Sequence, residues 1–353
     1  MNNGKLRDAE IEYRLAVRLE PNNAEAHFRL GDNLYDRGKN AEAEAEFKEA
    51  IRLKPKKSQF HLYLGLLLSG QRNDTAAQAE YFEALLLARE ALDRDSQNAE
   101  AHRDAGRALN SLQKYTEAEA QLREAARLNP TDLVTHRNLG NALTGQKKYS
   151  EAETEYRSAL RLNPADHASH AYLGDIFIRQ KKFSEAEAEY RETIRLNPDD
   201  RYYRNSLGFT LIEESKYSEA DKELKEAISL DSSYSEARVN LGRSLSKQEK
   251  YTEAEAEFRE SIRLDPTSSA YSNLGYLLYA LKRYPEAETA YREAIRLSPS
   301  DAWNHNNLGL ALYNQKKYSE AEAEQREAVR LDPTSESYRN NLKLVLQAQG
   351  KQP

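Results

Sequence analysis

The sequence predicts an all-α fold in which helical hairpins stack one on another, and three observations carry this prediction. A Leu-Gly or Ala-Gly pair recurs nine times, and its glycines stand at positions 31, 65, 106, 140, 174, 208, 242, 275 and 309. Their spacings are 34, 41, 34, 34, 34, 34, 33 and 34 residues, and prolines follow the same period. Of the 353 residues, 31 % are charged and only 39 % hydrophobic. A thin stack with much surface per residue tolerates this polarity better than a compact globule does.

Each repeat is predicted to form two helices. In the unit 167–200, the first helix should span about Ala168–Gln180 and the second about Glu185–Leu196. Ser184 and Glu187 have the spacing of a capping box at the start of the second helix, and a proline stops that helix. With the glycine placed at repeat position 8, the nine predicted units are 24–57, 58–98, 99–132, 133–166, 167–200, 201–234, 235–267, 268–301 and 302–335.

The repeated glycine predicts a close approach between the two helices of a hairpin. Glycine inside a helix costs up to ~1 kcal/mol relative to alanine, so its repetition needs a structural reason. In the unit 167–200, Gly174 should face the small Ala186 of the second helix. A larger side chain at either position should push the hairpin apart.

These features resemble the tetratricopeptide repeat family over almost the whole chain. The resemblance rests on Leu-Gly at repeat positions 7 and 8, alanine at 20 and 27, an aromatic residue near 24 and proline at 32. It implies a right-handed superhelix with first helices on the concave face and second helices on the convex face. It also implies a protein that binds other proteins.

Both ends of the array depart from the repeat. Residues 1–23 match only the second half of a unit and should leave Ile11, Tyr13 and Val17 uncovered. This half repeat indicates truncation of a longer array, coverage by another chain with possible self-association, or a tolerated lone helix. Residues 336–353 are predicted to form a polar-faced capping helix and a tail.

The second full unit, 58–98, is seven residues longer than the common repeat. Seven residues add almost two whole turns to a helix, so the buried face keeps its phase. We therefore predict an extended second helix, which is either a length variant without function or a docking feature.

Composition excludes several classes of protein. The net charge is −6, with 52 basic residues interspersed among 58 acidic ones, which is unlike the basic footprint of a nucleic-acid binder. No apolar stretch approaches the ~20 residues that cross a bilayer. The absence of cysteine excludes disulfides and thiolate sites and fits a reducing compartment. We expect a cytoplasmic protein that binds neither nucleic acid nor membrane.

The spacing of the histidines predicts a role in packing and not a metal site. Stacked equivalent residues should lie roughly 8–10 Å apart. Zinc–nitrogen bonds of about 2.0–2.1 Å need ligands much closer together. No phosphate-binding loop, nucleophile elbow or zinc-protease motif occurs, so we predict no enzyme, no cofactor and no metal. Six of the seven histidines share repeat position 4: His27, His61, His102, His136, His170 and His305.

A second stripe on the first helix, at repeat positions 2, 5, 6, 9 and 13, varies between units and is therefore free to serve recognition. Its first region is apolar, with Phe28, Tyr35, Leu62, Tyr63 and Leu66. Its middle region is basic and polar, with Arg103, Arg107, Arg137, Asn138 and Asn141. Its last region contains Asn240, Asn273 and Asn307 together with the aromatic and polar residues Tyr276, Tyr279, Trp303, Asn306, Leu310 and Tyr313.

The three asparagines of the last region suggest how a ligand would be held. An asparagine can donate to and accept from a peptide group at once, so three in successive units would hold an extended backbone. They resemble the asparagine ladder in the superhelix of O-linked N-acetylglucosamine transferases, although asparagine is also simply tolerated on a solvated surface. The carboxylate clamp of chaperone-binding family members is disfavoured, because Tyr172, Tyr202 and Ser206 occupy its positions.

The leading hypothesis is a non-enzymatic scaffold or adaptor that binds an extended polypeptide in its concave groove. The alternative is a targeting or regulatory tetratricopeptide segment of a larger enzyme or assembly.

Overall fold

The computed structural model describes residues 2–351, with side chains from residue 6 onward, and in that range it contains twenty helices and no strand. First helices of thirteen residues alternate with second helices, most of which have fourteen. This confirms the predicted all-α helical repeat. The chain divides into two compact units, residues 1–180 and 181–353.

The first unit contains ten helices that alternate between the two types. Its first helices are α2 (Ala24–Asp36), α4 (Ser58–Gly70), α6 (Ala99–Ser111), α8 (Leu133–Gly145) and α10 (His167–Arg179). Its second helices are α1 (Asn2–Leu19), α3 (Asn40–Leu53), α5 (Asp74–Arg94), α7 (Tyr115–Leu128) and α9 (Tyr149–Leu162).

The second unit repeats the same alternation. Its second helices are α11 (Phe183–Leu196), α13 (Tyr217–Leu230), α15 (Tyr251–Leu264), α17 (Tyr284–Leu297) and α19 (Tyr318–Leu331). Its first helices are α12 (Arg201–Glu213), α14 (Ser235–Lys247), α16 (Ser268–Ala280), α18 (Ala302–Asn314) and α20 (Glu336–Ala348).

Within each unit, a second helix packs on the first helix of its own hairpin and on the first helix of the next hairpin. Successive first helices also approach one another, as α4 and α6 do in the first unit and α14 and α16 in the second. Successive second helices make no comparable approach in the described part of either unit. The first helices therefore lie on the inner side of each stack, and their outward residues form what we call the first-helix face.

The repeated glycines mark the points where two helices come closest. A Cβ atom added to Gly140 would lie 2.5 Å from Cε1 of Tyr156, and one added to Gly242 would lie 2.6 Å from Cε1 of Phe258. The predicted close approach is present in these hairpins, but a large side chain of the second helix fills the space. The pair Gly174 and Ala186, which is divided between the two units, stays a prediction.

Replacing Gly140 by alanine should destabilise the protein by about 1–3 kcal/mol, because the new methyl group overpacks the fully buried Tyr156 ring. The free energy of unfolding from a urea titration measures this. Gly70→Ala is the matched control, because its Cβ would meet nothing nearer than the Tyr35 hydroxyl at 3.8 Å. Equal losses for the two variants would contradict the prediction.

The residues at which the helices begin contradict the predicted capping box. Helix α11 begins at Phe183, two residues before the predicted start, and its N-cap Lys182 makes no side-chain cap hydrogen bond. Ser184 is therefore already inside the helix, and the capping-box prediction is wrong. Side-chain caps occur at most first helices and at the second helix α5. At α6, for example, the Asn98 Oδ1 atom accepts from the backbone N–H of Ala101 at 3.0 Å.

The glutamate assigned to the capping box instead joins neighbouring hairpins. In the first unit, Glu119 on α7 accepts hydrogen bonds from Lys148 Nζ at 2.8 Å and Gln146 Nε2 at 2.7 Å. Both donors lie in the turn of the next hairpin, between α8 and α9. Arg123 Nε, one turn further along α7, donates to the same carboxylate at 2.9 Å. Partial burial opposes this charge, but the three hydrogen bonds outweigh it and lower the pKa of Glu119 to about 2.

The joint at Glu119 should stabilise the stack only while this carboxylate is ionised. Because its pKa falls below the ordinary 4.5 on folding, the stabilisation is complete above that pH and is lost as the pH falls towards 2. Glu119→Gln should therefore lower the free energy of unfolding by about 1 kcal/mol at pH 7. The deficit should shrink at pH 3. Thermal denaturation at both pH values tests this.

Glu117→Gln is the control for that prediction, because the Glu117 side chain is 54 % exposed and its nearest cations, on Arg89 and Lys114, are 3.7 and 3.9 Å away. Its effect should be small at both pH values. A deficit for Glu119→Gln that is independent of pH would contradict the ionic joint.

Helix α1 is docked on the first unit in the manner of a second helix. Glu10 is buried and binds Lys39 Nζ at 2.9 Å and the Arg37 guanidinium, both in the turn between α2 and α3. The predicted apolar stripe is partly covered: Ile11 is 63 % exposed, whereas Tyr13 is half-buried. In α3, α7, α9, α13, α15 and α17, the equivalent residue is at most 1 % exposed and packs against the glycine of its own first helix.

Two other helices depart from the common pattern. The seven surplus residues of the long unit lie in α5, which spans 21 residues. Its exposed Phe82 and Leu86 lie one turn apart. The last helix, α20, buries Val345 and Leu346 and carries Lys343 at the position of the repeated glycine. A capping role for α20 remains our proposal.

Candidate functional site

The first-helix face of the second unit contains an open pocket that brings several predicted residues together. Tyr276 and Trp303 stand on successive first helices, and their ring centroids lie 6.1 Å apart at 37°. Both rings are substantially exposed, at 56 % and 40 %. The pocket measures about 250 Å³, and its lining residues are Arg243, Ser246, Lys247, Phe258, Asn273, Tyr276 and Trp303.

Two of the predicted asparagines present an acceptor on this face. The side-chain amide of Asn273 donates to the backbone carbonyl of Ser269 at 2.8 Å. Asn307 makes the same bond to the carbonyl of Trp303 at 2.7 Å. Each bond turns the amide nitrogen back onto its own helix, and no other described residue donates to either Oδ1 atom. The two Oδ1 atoms are therefore available to backbone N–H donors of a ligand.

The pocket wall on α14 is cationic. Arg243 is held in place, because its guanidinium donates to Glu213 at 3.0 Å and to Asn240 at 3.1 Å. Lys247 is exposed and forms no ion pair with the residues that the structure describes. One cation at this wall is thus neutralised and one is not, which favours an anionic group in a ligand.

Asn240 and Asn306 are not available to a ligand. Both polar atoms of the Asn240 amide form hydrogen bonds within the protein, and Asn306 is buried. Asn240 accepts from Arg243, and its amide donates to Asn205 Oδ1 on α12 at 2.9 Å. Asn306 is only 6 % exposed and accepts from Asn341 at 2.7 Å. Both asparagines link one first helix to another, so the predicted three-residue ladder presents two free acceptors.

Tyr279 and Tyr313 lie beside the pocket without lining it. Their rings pack on Tyr284 and Tyr318, the first residues of α17 and α19, with centroid distances of 5.5 and 5.6 Å. The Tyr279 hydroxyl also accepts from Asn314 at 3.2 Å. These two tyrosines are half-buried by their own hairpins.

In the first unit, the predicted arginines mostly have acidic partners. Arg103 lies between Asp104 at 3.2 Å and Asp132 at 3.5 Å, and Arg137 donates to Asp166 at 2.9 Å. Because these ion pairs occupy them, Arg103 and Arg137 are weaker candidates for ligand contacts.

The other three predicted residues of the middle region differ in how free they are. Arg107 stacks on the ring of Tyr63 with its Cζ atom 5.1 Å from the centroid. Asn138 turns its amide onto the Val134 carbonyl at 2.7 Å, as Asn273 and Asn307 do onto theirs. Asn141 accepts from the hydroxyl of Tyr156 at 2.6 Å and so supports the core.

The first predicted region requires a correction. Phe28 and Leu62 are 0 % and 1 % exposed, so they belong to the core and not to a binding surface. Sequence reasoning also missed Asp32 and Asp36, although they occupy positions 9 and 13 of the variable stripe. Burial, followed by the charge of Asp36, raises the pKa of Asp32 to about 6.

The described residues contain no group of three or more histidine, cysteine, aspartate or glutamate side chains arranged to hold a metal ion. Between residues 2 and 351, no helix combines the length and apolar character needed to cross a membrane.

Stacked helical hairpins with an open aromatic pocket on the first-helix face define a helical-repeat protein of the interaction-module class. The sequence model of the tetratricopeptide repeat matches residues 1–57, 28–89, 80–132, 137–201, 207–269, 239–302 and 273–336. The chain therefore belongs to the tetratricopeptide repeat family, whose repeat is typically a non-catalytic module. Comparison with curated protein sequences gave no match.

Solved structures of low sequence identity share the fold. The anaphase-promoting complex (APC/C) hetero-tetramer Cut9-Hcn1 contains a chain with 15 % identity and a TM-score of 0.58, covering 95 % of this chain and 81 % of that one. Yeast Tom70 gives 14 % identity and a TM-score of 0.56, covering 99 % and 93 %. A repeat protein from Parabacteroides merdae gives 19 % and 0.61, covering 71 % and 99 %. At such identities the similarity concerns the fold alone.

Proposed function

We propose that this protein is a non-enzymatic scaffold or adaptor that binds an extended polypeptide along the first-helix face of its second unit. The observation that carries the proposal is the pocket in which Asn273, Tyr276 and Trp303 meet the unpaired Lys247.

The geometry suggests how the chain would be held. The Oδ1 atoms of Asn273 and Asn307, in successive hairpins, would accept from backbone N–H groups without reading side chains. One ligand side chain would enter between Tyr276 and Trp303, whose rigid rings bury area at little entropic cost. An acidic residue next to it would lie within reach of Lys247, and this charge pairing would favour one register over others.

The remaining predicted residues receive secondary roles in this proposal. Asn240 and Asn306 would keep the first helices in register, and Tyr279 and Tyr313 would stiffen the rim. In the first unit, Arg107 and Asn138 are the residues best placed to extend the contact surface. Arg103, Arg137 and Asn141 would position their neighbours.

Membership of a larger assembly is the second candidate function. The half-exposed Tyr13 on α1 favours it, because equivalent residues elsewhere lie under a first helix of the same chain. Among proteins of similar fold, Cut9 forms a hetero-tetramer with Hcn1.

The predicted self-association through α1 can be tested by sedimentation. If copies pair through this face, the mass of the purified protein should rise with concentration, and Tyr13→Arg should abolish the rise by placing a charge at its centre. A mass that is constant over the whole concentration range would contradict self-association.

The groove proposal is tested with twelve-residue peptides selected from a random library on the purified protein. Asn273→Ala with Asn307→Ala should weaken the selected peptides about tenfold, since each removes one hydrogen bond. Trp303→Ala should weaken them about thirtyfold, as expected of a hot-spot aromatic residue. Fluorescence anisotropy gives the affinities, and failure of the library to yield any binder would overturn the proposal.

A matched control for the aromatic residues is Tyr251, which is 37 % exposed at the start of α15 and does not line the pocket. Its alanine variant should leave peptide affinity unchanged. Asn240→Ala should lower stability and affect binding little, because both ends of its amide are already used.

A further inference from the structure

The side chain at repeat position 4 is held between two oxygen acceptors in hairpin after hairpin. In the histidine-containing hairpins with both contacts described, Nδ1 faces a side-chain oxygen on the second helix and Nε2 faces a backbone carbonyl of the preceding loop. With a glutamate carboxylate as the first partner, the two distances are 2.6 and 3.0 Å for His27, 2.7 and 3.1 Å for His61, 2.7 and 3.0 Å for His136, and 2.7 and 3.0 Å for His305.

Both contacts can be hydrogen bonds at the same time only when the ring is protonated. A carboxylate and a backbone carbonyl can only accept, and a neutral imidazole carries a single N–H. In the neutral form, one ring nitrogen would therefore direct its lone pair at an oxygen about 3 Å away. Only the imidazolium donates to both partners, and in doing so it ties the preceding loop, the first helix and the second helix together.

Two hairpins of the second unit supply an internal comparison. At position 4 of α12, Arg204 donates to the Pro198 carbonyl at 3.1 Å and to Glu223 at 2.7 Å. On α14, Arg238 donates to Glu257 at 2.9 Å and to the Ser232 carbonyl at 3.3 Å. A permanently charged side chain thus makes the same pair of contacts in these two hairpins, whereas the hairpin of α16 carries Tyr271 at this position. A packing role alone does not explain the cation in these two hairpins.

We propose that the residue at position 4 sets the pH response of each hairpin, and that histidine hairpins close when protonated and loosen when they lose the proton. Hairpins with arginine at this position stay closed across the same range. In the first unit, this response is expected of the α4–α5 hairpin, which contains His61, and of the α8–α9 hairpin, which contains His136.

The surroundings of the histidines support the direction of this response. Glu80 and Glu83 on α5 face His61, and burial opposes its charge, but the contacts with Glu80 and the Pro55 carbonyl outweigh burial and raise its pKa. Glu155 on α9 raises the pKa of His136, with a smaller contribution from Asp132 at the N-terminus of α8.

A histidine whose pKa rises on folding contributes stability that is complete below its unfolded pKa of about 6.5. That contribution is lost as the pH rises through the higher folded value. The loosening therefore falls at and above neutral pH.

His102 provides a natural contrast within the first unit. Its Nδ1 atom faces the neutral Oε1 of Gln121 at 2.8 Å, and its Nε2 faces the Ser96 carbonyl at 3.1 Å. The nearby Glu124 on α7 supplies charge without a direct hydrogen bond.

Hydrogen exchange of the full-length protein, followed by mass spectrometry at pH 6.0 and 8.5 and corrected for intrinsic rates, tests the proposal. Opening of α4–α5 and α8–α9 should increase at least about fivefold at the higher pH, as expected when a charge-assisted hydrogen bond is lost. Opening of α12–α13 and α14–α15 should change less than about twofold. An increase of the same size in both sets would overturn the proposal.

Reciprocal variants separate the effect of the position-4 residue from a general change in stability. His61→Arg with His136→Arg should remove the pH response of their hairpins, and Arg204→His with Arg238→His should create one in the second unit. If one of these double variants does not fold, the other double variant still tests the proposal. A pH response that persists in the arginine variant, or that fails to appear in the histidine variant, would show that position 4 does not control it.

Discussion

The distance between the two helices of a hairpin is the constraint on which the rest of this structure depends. At Gly140 even one added methyl group would lie 2.5 Å from the ring that faces it. Because the backbone of the first helix packs directly on an aromatic ring, the large residue and the small alanines of the second helix are fixed in place. Stacking then dictates the buried residues and leaves the outward side of the first helix free to vary.

Polar interactions hold this apolar stack in register. Glu119 joins its hairpin to the next turn, and His136 at position 4 joins its hairpin to the preceding loop. Both interactions are partly buried, which makes them stronger than surface ion pairs and more costly when one partner is lost. The Glu119 joint weakens as the pH falls towards 2, and the His136 contact weakens as the pH rises above neutral, so the stack should be most stable between these limits.

The first-helix face serves stacking and recognition together. Asn240 and Arg243 belong to a polar chain between α12 and α14, whereas Asn273 and Tyr276, in the next hairpin, are open to solvent. A peptide bound in the pocket would therefore rest on residues whose orientation is already fixed. Such preorganisation reduces the entropy lost on binding.

The repeat itself could be predicted from the sequence, because glycine and proline spacing expresses a backbone requirement that every hairpin shares. The ends of α10 were predicted to within one residue, and the surplus of the long unit was placed within α5. The start of α11 was missed, because the capping-box spacing of Ser184 and Glu187 also suits a joint in which Glu187 accepts from Lys216 in the next turn.

The candidate site was less predictable for a related reason. The position of a residue in the repeat predicts which face of the helix it occupies but not which neighbouring side chains it contacts. Phe28 and Asn306 therefore lie buried, while Tyr276 and Trp303 remain open.

The sequence by itself determined the architecture, the number of hairpins and the residues that stacking requires, because these follow from a period that local spacing reveals. Only the tertiary structure decided which polar side chains are free and which are paired, and that the position-4 histidines His61 and His136 each lie between a glutamate and a backbone carbonyl. Both outcomes depend on atoms from helices and loops that sequence spacing alone does not place at hydrogen-bond distance.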